Sequence, residues 1–129
     1  MRPSVVAWPG GEHSFRLGLV ELESIQQETD CGPEWLLHKL NVGQWLASEL
    51  VAVIRWGLIG GGMAPVDALK AVKKAFDFHD LISFKVPVQT ILGAALFGPP
   101  YDAVGEPIPV EPTPEQEQTA SGSSAPITD

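Results

Sequence analysis

The residues of this 129-residue chain whose types permit chemistry are three histidines, one cysteine, a glycine triplet and a few carboxylates. Nucleophilic catalysis, metal binding and phosphate binding each demand such residues at a particular spacing. Ser48 lies in Leu-Ala-Ser-Glu-Leu within a helical pattern, whereas a nucleophile elbow needs Gly-x-Ser-x-Gly on a strand-to-helix turn. His13, His38, His79 and Cys31 are scattered along the chain and have no metal-ligand spacing. Gly60-Gly61-Gly62 precedes a helix, as a phosphate loop would. Met63-Ala64-Pro65 follows it in place of Lys-Ser or Lys-Thr, and Pro65 removes a donor that a phosphate would use. The triplet therefore reads as a helix C-cap and an interhelical turn. Glu21, Glu23 and Glu28 look solvated, with no partner of distinct environment to divide acid and base roles. The expectation is a protein with no catalytic residues, no cofactor and no metal, and not an enzyme.

Two clusters remain. Glu49 projects between the positions of Trp45 and Trp56, inside an apolar arc. Its expected setting is a half-exposed glutamate whose stem lies over a tryptophan, with contact to a partner protein as the alternative. Fully buried, it would have to pair or take up a proton. The two tryptophans are expected in the core, an exposed binding stripe being the alternative. Lys70, Lys73 and Lys74 share a helix face with Asp67 and Asp77, which predicts a solvated face rather than a site for an acidic surface.

Composition sets the class. One cysteine permits no intrachain disulfide and suits a reducing compartment. Pro9, Gly10, Gly11 and Glu12 interrupt the N-terminal region where a signal peptide would be apolar, which predicts no export and a cytoplasmic location. The longest apolar stretch, 45–59, carries Glu49 and Arg55 and falls short of the roughly 20 residues of a membrane span. Net charge is -8, and it is unevenly spread: residues 1–98 hold all 8 Lys and Arg against 10 acids, while 99–129 hold 6 acids and no base. Phosphates and anionic membranes would be repelled, so neither nucleic acid nor membrane is an expected partner.

The predicted fold is mainly α: a small N-terminal β-hairpin, a bundle of four to five helices over residues 1–98, and a disordered tail over 99–129. Runs at 4–8 and 14–19 flank a Pro-Gly-Gly turn. Leu19, Leu22 and Ile25 then fall on one side of a first helix that ends at Asp30-Cys31-Gly32. Pro33 suits the first turn of a second helix, 34–40. A third helix, 42–59, has Gln44, Ser48 and Arg55 on a narrow polar strip at about 100° per residue. Trp45, Ala52, Trp56 and Ile59 form one apolar stripe, and Leu46, Leu50, Val53 and Gly57 the next. An arc this wide requires either a central helix or a face covered by another chain. A fourth helix, 65–78, turns Ala68, Leu69, Val72, Ala75 and Phe76 inward. A connector over 78–86 leads to a last helix, opened by Pro87, with Val88, Ile91, Leu92, Ala95 and Leu96 as its buried stripe. Seven of the 12 prolines lie in 99–129, beside Glu, Gln, Ser and Thr, with too little apolar surface to offset the entropy of ordering.

The run Arg55-Trp56-Gly57-Leu58-Ile59-Gly60-Gly61-Gly62-Met63-Ala64-Pro65-Val66-Asp67-Ala68-Leu69 resembles the signature of a small protein encoded among the tail genes of gene transfer agents and related tailed phages of alphaproteobacteria. Ile91-Leu92-Gly93-Ala94-Ala95-Leu96-Phe97-Gly98 resembles that family's next block, and Phe15-Arg16-Leu17 with Glu21-Leu22-Glu23 its N-terminal element. The resemblance spans residues 12–98. It implies a tail assembly chaperone that coats the tape measure protein until tube subunits polymerise around it. Tape measure and other tail proteins would be the partners, with self-association left open. The family also carries the label of tail tube protein, which implies the alternative of a structural component retained in the virion or gene transfer agent particle. Tube subunits as a class are antiparallel sheets closing into rings, and they need long strands of period 2. The resemblance carries over the segment 57–64 and its flanking helices as either fold-defining or partner-facing; taken with the apolar stripe of the third helix, the candidate partner-facing residues are Trp45, Glu49, Trp56, Ile59, Gly60, Gly61, Gly62 and Met63.

Overall fold

Pro9 and Gly10 reverse the chain between β1 (Ser4–Trp8) and β2 (Gly11–Phe15), which pair antiparallel with Ser4 opposite Phe15 and Trp8 opposite Gly11. Gly11, at φ 126°, takes a conformation that residues with a Cβ rarely adopt. Val6, Trp8 and Phe15 face the core while Val5, Ala7 and Ser14 face out, the period-2 alternation of a half-buried ribbon. The computed structural model describes residues 2–98. The segment 99–129, where the disordered tail is expected, lies outside the described residues.

Five helices follow the hairpin: α1 (Leu19–Thr29), α2 (Pro33–Val42), α3 (Ala47–Gly60), α4 (Pro65–Phe78) and α5 (Lys85–Phe97), with a 3-10 turn at Leu81–Phe84. Glu21, at the third position of α1, reaches back to accept the Gly18 N–H at 2.8 Å. Asp30 closes α1 in the left-handed conformation, its N–H donating to the Gln26 carbonyl. Leu19, expected on the buried side of α1, is exposed; Ile25 is the buried residue there.

The apolar run expected to be one helix from residue 42 is broken. Gly43, at φ 79°, ends α2, and α3 begins only at Ala47, so Trp45 and Leu46 precede the helix. A second capping carboxylate explains the restart: Glu49 accepts the Leu46 N–H at 2.8 Å, supplying an acceptor at the helix start where no Ser, Thr, Asp or Asn stands.

Once begun, α3 is the central helix. Seven of its 14 residues are buried, among them Leu50, Val53, Ile54 and Leu58, between α1, α4, α5 and the hairpin. On α4, Ala68, Val72 and Ala75 are buried and Phe76 is half-buried, whereas Leu69 is turned out to solvent. Phe76 stacks on Phe84 of the 3-10 turn at 3.8 Å between ring centroids, and Trp8 stands edge-on to Phe15 at 6.1 Å. The turn thus fills the connector expected over 78–86. It runs directly into α5, where Pro87 lies in the first turn and leaves no ladder donor missing. Val88, Ile91 and Leu92 are buried there, with Ala95 and Leu96 half-buried.

Candidate functional site

The glycine-rich end of α3 is closed by its own backbone. Gly62 donates to the Ile59 carbonyl and Met63 to the Leu58 carbonyl, each at 3.0 Å, with Gly62 at φ 115°. This is the Schellman pattern at a helix C-terminus. It consumes the very N–H groups that a phosphate loop would offer.

Gly57, Gly60 and Gly61 serve a different need. The end of β2 crosses α3 here, and Arg16 donates its N–H to the Gly57 carbonyl at 3.1 Å. A methyl group on Gly60 would overlap the Arg16 carbonyl oxygen, and one on Gly61 the Ser14 carbonyl oxygen. On Gly57 it would stand 2.8 Å from the Phe15 ring. Glycine is required where one backbone lies directly on another.

Glu49 is 3% exposed, not the half-exposed residue expected over a tryptophan. One of its oxygens caps α3 through Leu46. The other pairs with the Lys39 ammonium of α2 and accepts from the Cys31 thiol at 3.6 Å. Lys39 in turn lies 3.8 Å from that sulfur. The bond to Glu49 is the largest influence on Lys39 and holds its pKa above the ordinary lysine value, partly opposed by desolvation. The charge is thus compensated inside the fold, as a buried carboxylate requires.

Trp45, Trp56, Ile59 and Met63 are half-buried against the core rather than sealed within it. Trp56 donates its indole N–H to Glu28 of α1 at 2.9 Å, Arg55 pairs with the same carboxylate, and the Arg55 guanidinium lies 4.9 Å from the Trp56 ring centre. The two residues clip α3 to α1 at the surface.

Large apolar side chains stand exposed elsewhere, most of them not singled out by the hydrophobic pattern. On the outer face of α2, Trp35 is 55% exposed and stacked on His38 at 5.3 Å, and Val42, two turns on, is also exposed. Leu46, expected in the second apolar stripe of the third helix, is also exposed, because it precedes α3. Farther along the chain, Phe78, Leu81, Ile82 and Val86 are exposed around the 3-10 turn. The available signal for α2 was the spacing i, i+3, i+7 of Trp35, His38 and Val42, on the side opposite the buried Leu36 and Leu40.

The histidines stay apart: His13 accepts the Trp8 indole N–H at 2.8 Å, His38 stacks on Trp35, and His79 bonds the Ala75 carbonyl. Among the described residues no three or more His, Cys, Asp or Glu converge in a way that could hold a metal ion. No helix there is long and apolar enough to cross a membrane.

A family profile described as phage tail tube protein, GTA-gp10, matches residues 4–98, from the first strand through α5. No curated protein and no solved structure matches the chain.

Proposed function

The chain belongs to the family described as phage tail tube protein, GTA-gp10, a phage-tail family, and on that premise we propose that it acts in tail morphogenesis as an assembly chaperone for the tape measure protein. The observation that carries this reading is the outer face of α2, where Trp35 and Val42 stand exposed on one helix, near in sequence to the exposed Leu46 and the half-buried Trp45. A long apolar helix awaiting its tube needs such a surface in place of its missing neighbours, and helix-on-helix contact is the mode that an apolar helical stripe supports. The strands among the described residues number two, of five residues each, which supports the chaperone over a subunit that closes a ring by its sheet.

A second reading, a structural tail component retained in the particle, is favoured by the family's description itself. Copy number separates the two. A chaperone is abundant in producing cells and missing from purified particles, whereas a ring component is present in particles at a multiple of the ring number. Co-expression tests the mechanism directly. The tape measure protein is expected to become more soluble when this chain is present, and Trp35→Ser is expected to weaken that gain. An equally insoluble tape measure protein would refute the proposal. The protein is expected to act in the host cytoplasm under the first reading and in the particle under the second.

A further inference from the structure

Between the hairpin turn and α4 lies an open cleft of about 400 Å³, a size that can accept a large side chain with its neighbours. Four positions of α4 line it at helical spacing: Ala71, Lys74, Ala75 and Phe78. The two alanines keep the helix surface low, and Phe78, 76% exposed, leaves an aromatic ring uncovered beside them. An uncovered aromatic beside a shallow apolar strip offers a contact for another apolar group.

The polar lining is basic in composition. Lys74, His13 and His79 line the cleft, and no carboxylate does among the described residues. The hairpin fixes what His13 presents. Its Nδ1 accepts the Trp8 indole N–H, a group that can only donate, which leaves Nε2 as the nitrogen that donates. His79 is fixed in the opposite sense, since the Ala75 carbonyl can only accept and so the proton sits on Nδ1. Lys74 adds three donors and a positive charge. The cleft therefore combines an apolar strip with the donors of Lys74 and of His13 Nε2 and one positive charge, complementary to an apolar group carried beside a carboxylate.

We propose that this cleft docks a segment of a partner protein in which a large apolar side chain stands next to an aspartate or glutamate. The apolar side chain lies over Ala71 and Ala75 against Phe78, and the carboxylate takes the Lys74 ammonium and the His13 N–H. The proposal concerns a surface separate from the outer face of α2. It holds whether the protein leaves the particle or stays in it.

The test uses the full chain with its alanine methyl groups isotopically labelled, titrated with the blocked peptide Gly-Glu-Phe-Glu-Gly. The expected result is saturable movement of the Ala71 and Ala75 signals. Binding should weaken at least tenfold for Gly-Gln-Phe-Gln-Gly and for Gly-Glu-Ala-Glu-Gly, and at least tenfold in Lys74→Glu. Lys74 and Phe78 are both exposed, so Lys74→Glu and Phe78→Ser should keep the thermal midpoint of the parent, which verifies that lost binding is not lost folding. Absence of saturable movement, or equal binding of the glutamine peptide, overturns the proposal. Movement of the two signals on dilution without peptide would assign the cleft to a second copy. Movement with salt alone would assign it to acidic residues of the same chain. Either result also overturns it.

Discussion

The junction of β2 with the end of α3 and the outer face of α2 are opposite solutions to the same supply of apolar and small residues. At the junction two backbones touch, glycine is the residue that fits, and the N–H groups of Gly61, Gly62 and Met63 are used by the helix end. On α2, Trp35 and Val42 stand exposed on the side away from the buried Leu36 and Leu40, with Trp35 stacked on His38 of the same helix. The signature segment is therefore most closely tied to how the chain folds. The exposed apolar side chains of α2 lie where no motif marks them.

Replacing glycine at the junction should have the largest effect. Gly60→Ala and Gly61→Ala must each displace the β2 backbone, and a loss of about 3 kcal/mol or more in urea unfolding is expected. Stability close to the parent would mean that the contact is not rigid. Glu49→Ala comes next. It strands the Leu46 N–H and removes the partner of Lys39, at a cost of about 1 to 3 kcal/mol by the same measurement.

The Lys39 pair also predicts a pH dependence. Because the folded protein raises the lysine pKa, the contribution is complete below the ordinary lysine value of 10.5 and is lost as pH rises through the elevated folded value. The urea midpoint of the parent should therefore fall in that alkaline window more steeply than that of Lys39→Met. Gly93→Ala is the control for the junction. A methyl group there meets nothing within 4 Å, and helix propensity should raise stability by about 0.5 to 1 kcal/mol. Smallest in stability is Trp35→Ser, expected within about 0.5 kcal/mol of the parent. Its effect should appear only in rescue of the tape measure protein.

The hairpin, the five helices and the amphipathic plan of α4 were legible because each rests on local signals: a Pro-Gly turn, prolines in first helical turns, and apolar spacing along one face. The break between α2 and α3 was not. Apolar residues flank Gly43 on both sides, so periodicity ran through it, and the restart depends on a glutamate three positions inside the helix rather than on a capping side chain before it. Glu49 was legible as anomalous, and the need for a partner if it were buried followed from charge alone. That the partner is Lys39 depended on how α2 packs beside α3. Leu19 and Leu69 were assigned inward by spacing and lie outward, since a stripe does not state how much of itself a neighbour covers. Trp35 and Phe78 carried no signal strong enough to separate an exposed aromatic from a core one. For Gly60 and Gly61 the helix stop was readable, but the crossing strand, some 45 residues earlier in the chain, was not.

The Gly57 carbonyl accepts both the Gly61 N–H, which belongs to the helix end, and the Arg16 N–H, which belongs to the hairpin. One oxygen therefore joins an event local in the chain to one that closes a long loop. The helix end can form by itself, but the hairpin has a surface to settle on only after α3 has ended there. Docking of the hairpin should thus be a late step in folding. Exchange of the Arg16 amide with solvent should report that step, and a faster exchange there than in the middle of α3 would mark the hairpin as the part of the fold that opens first.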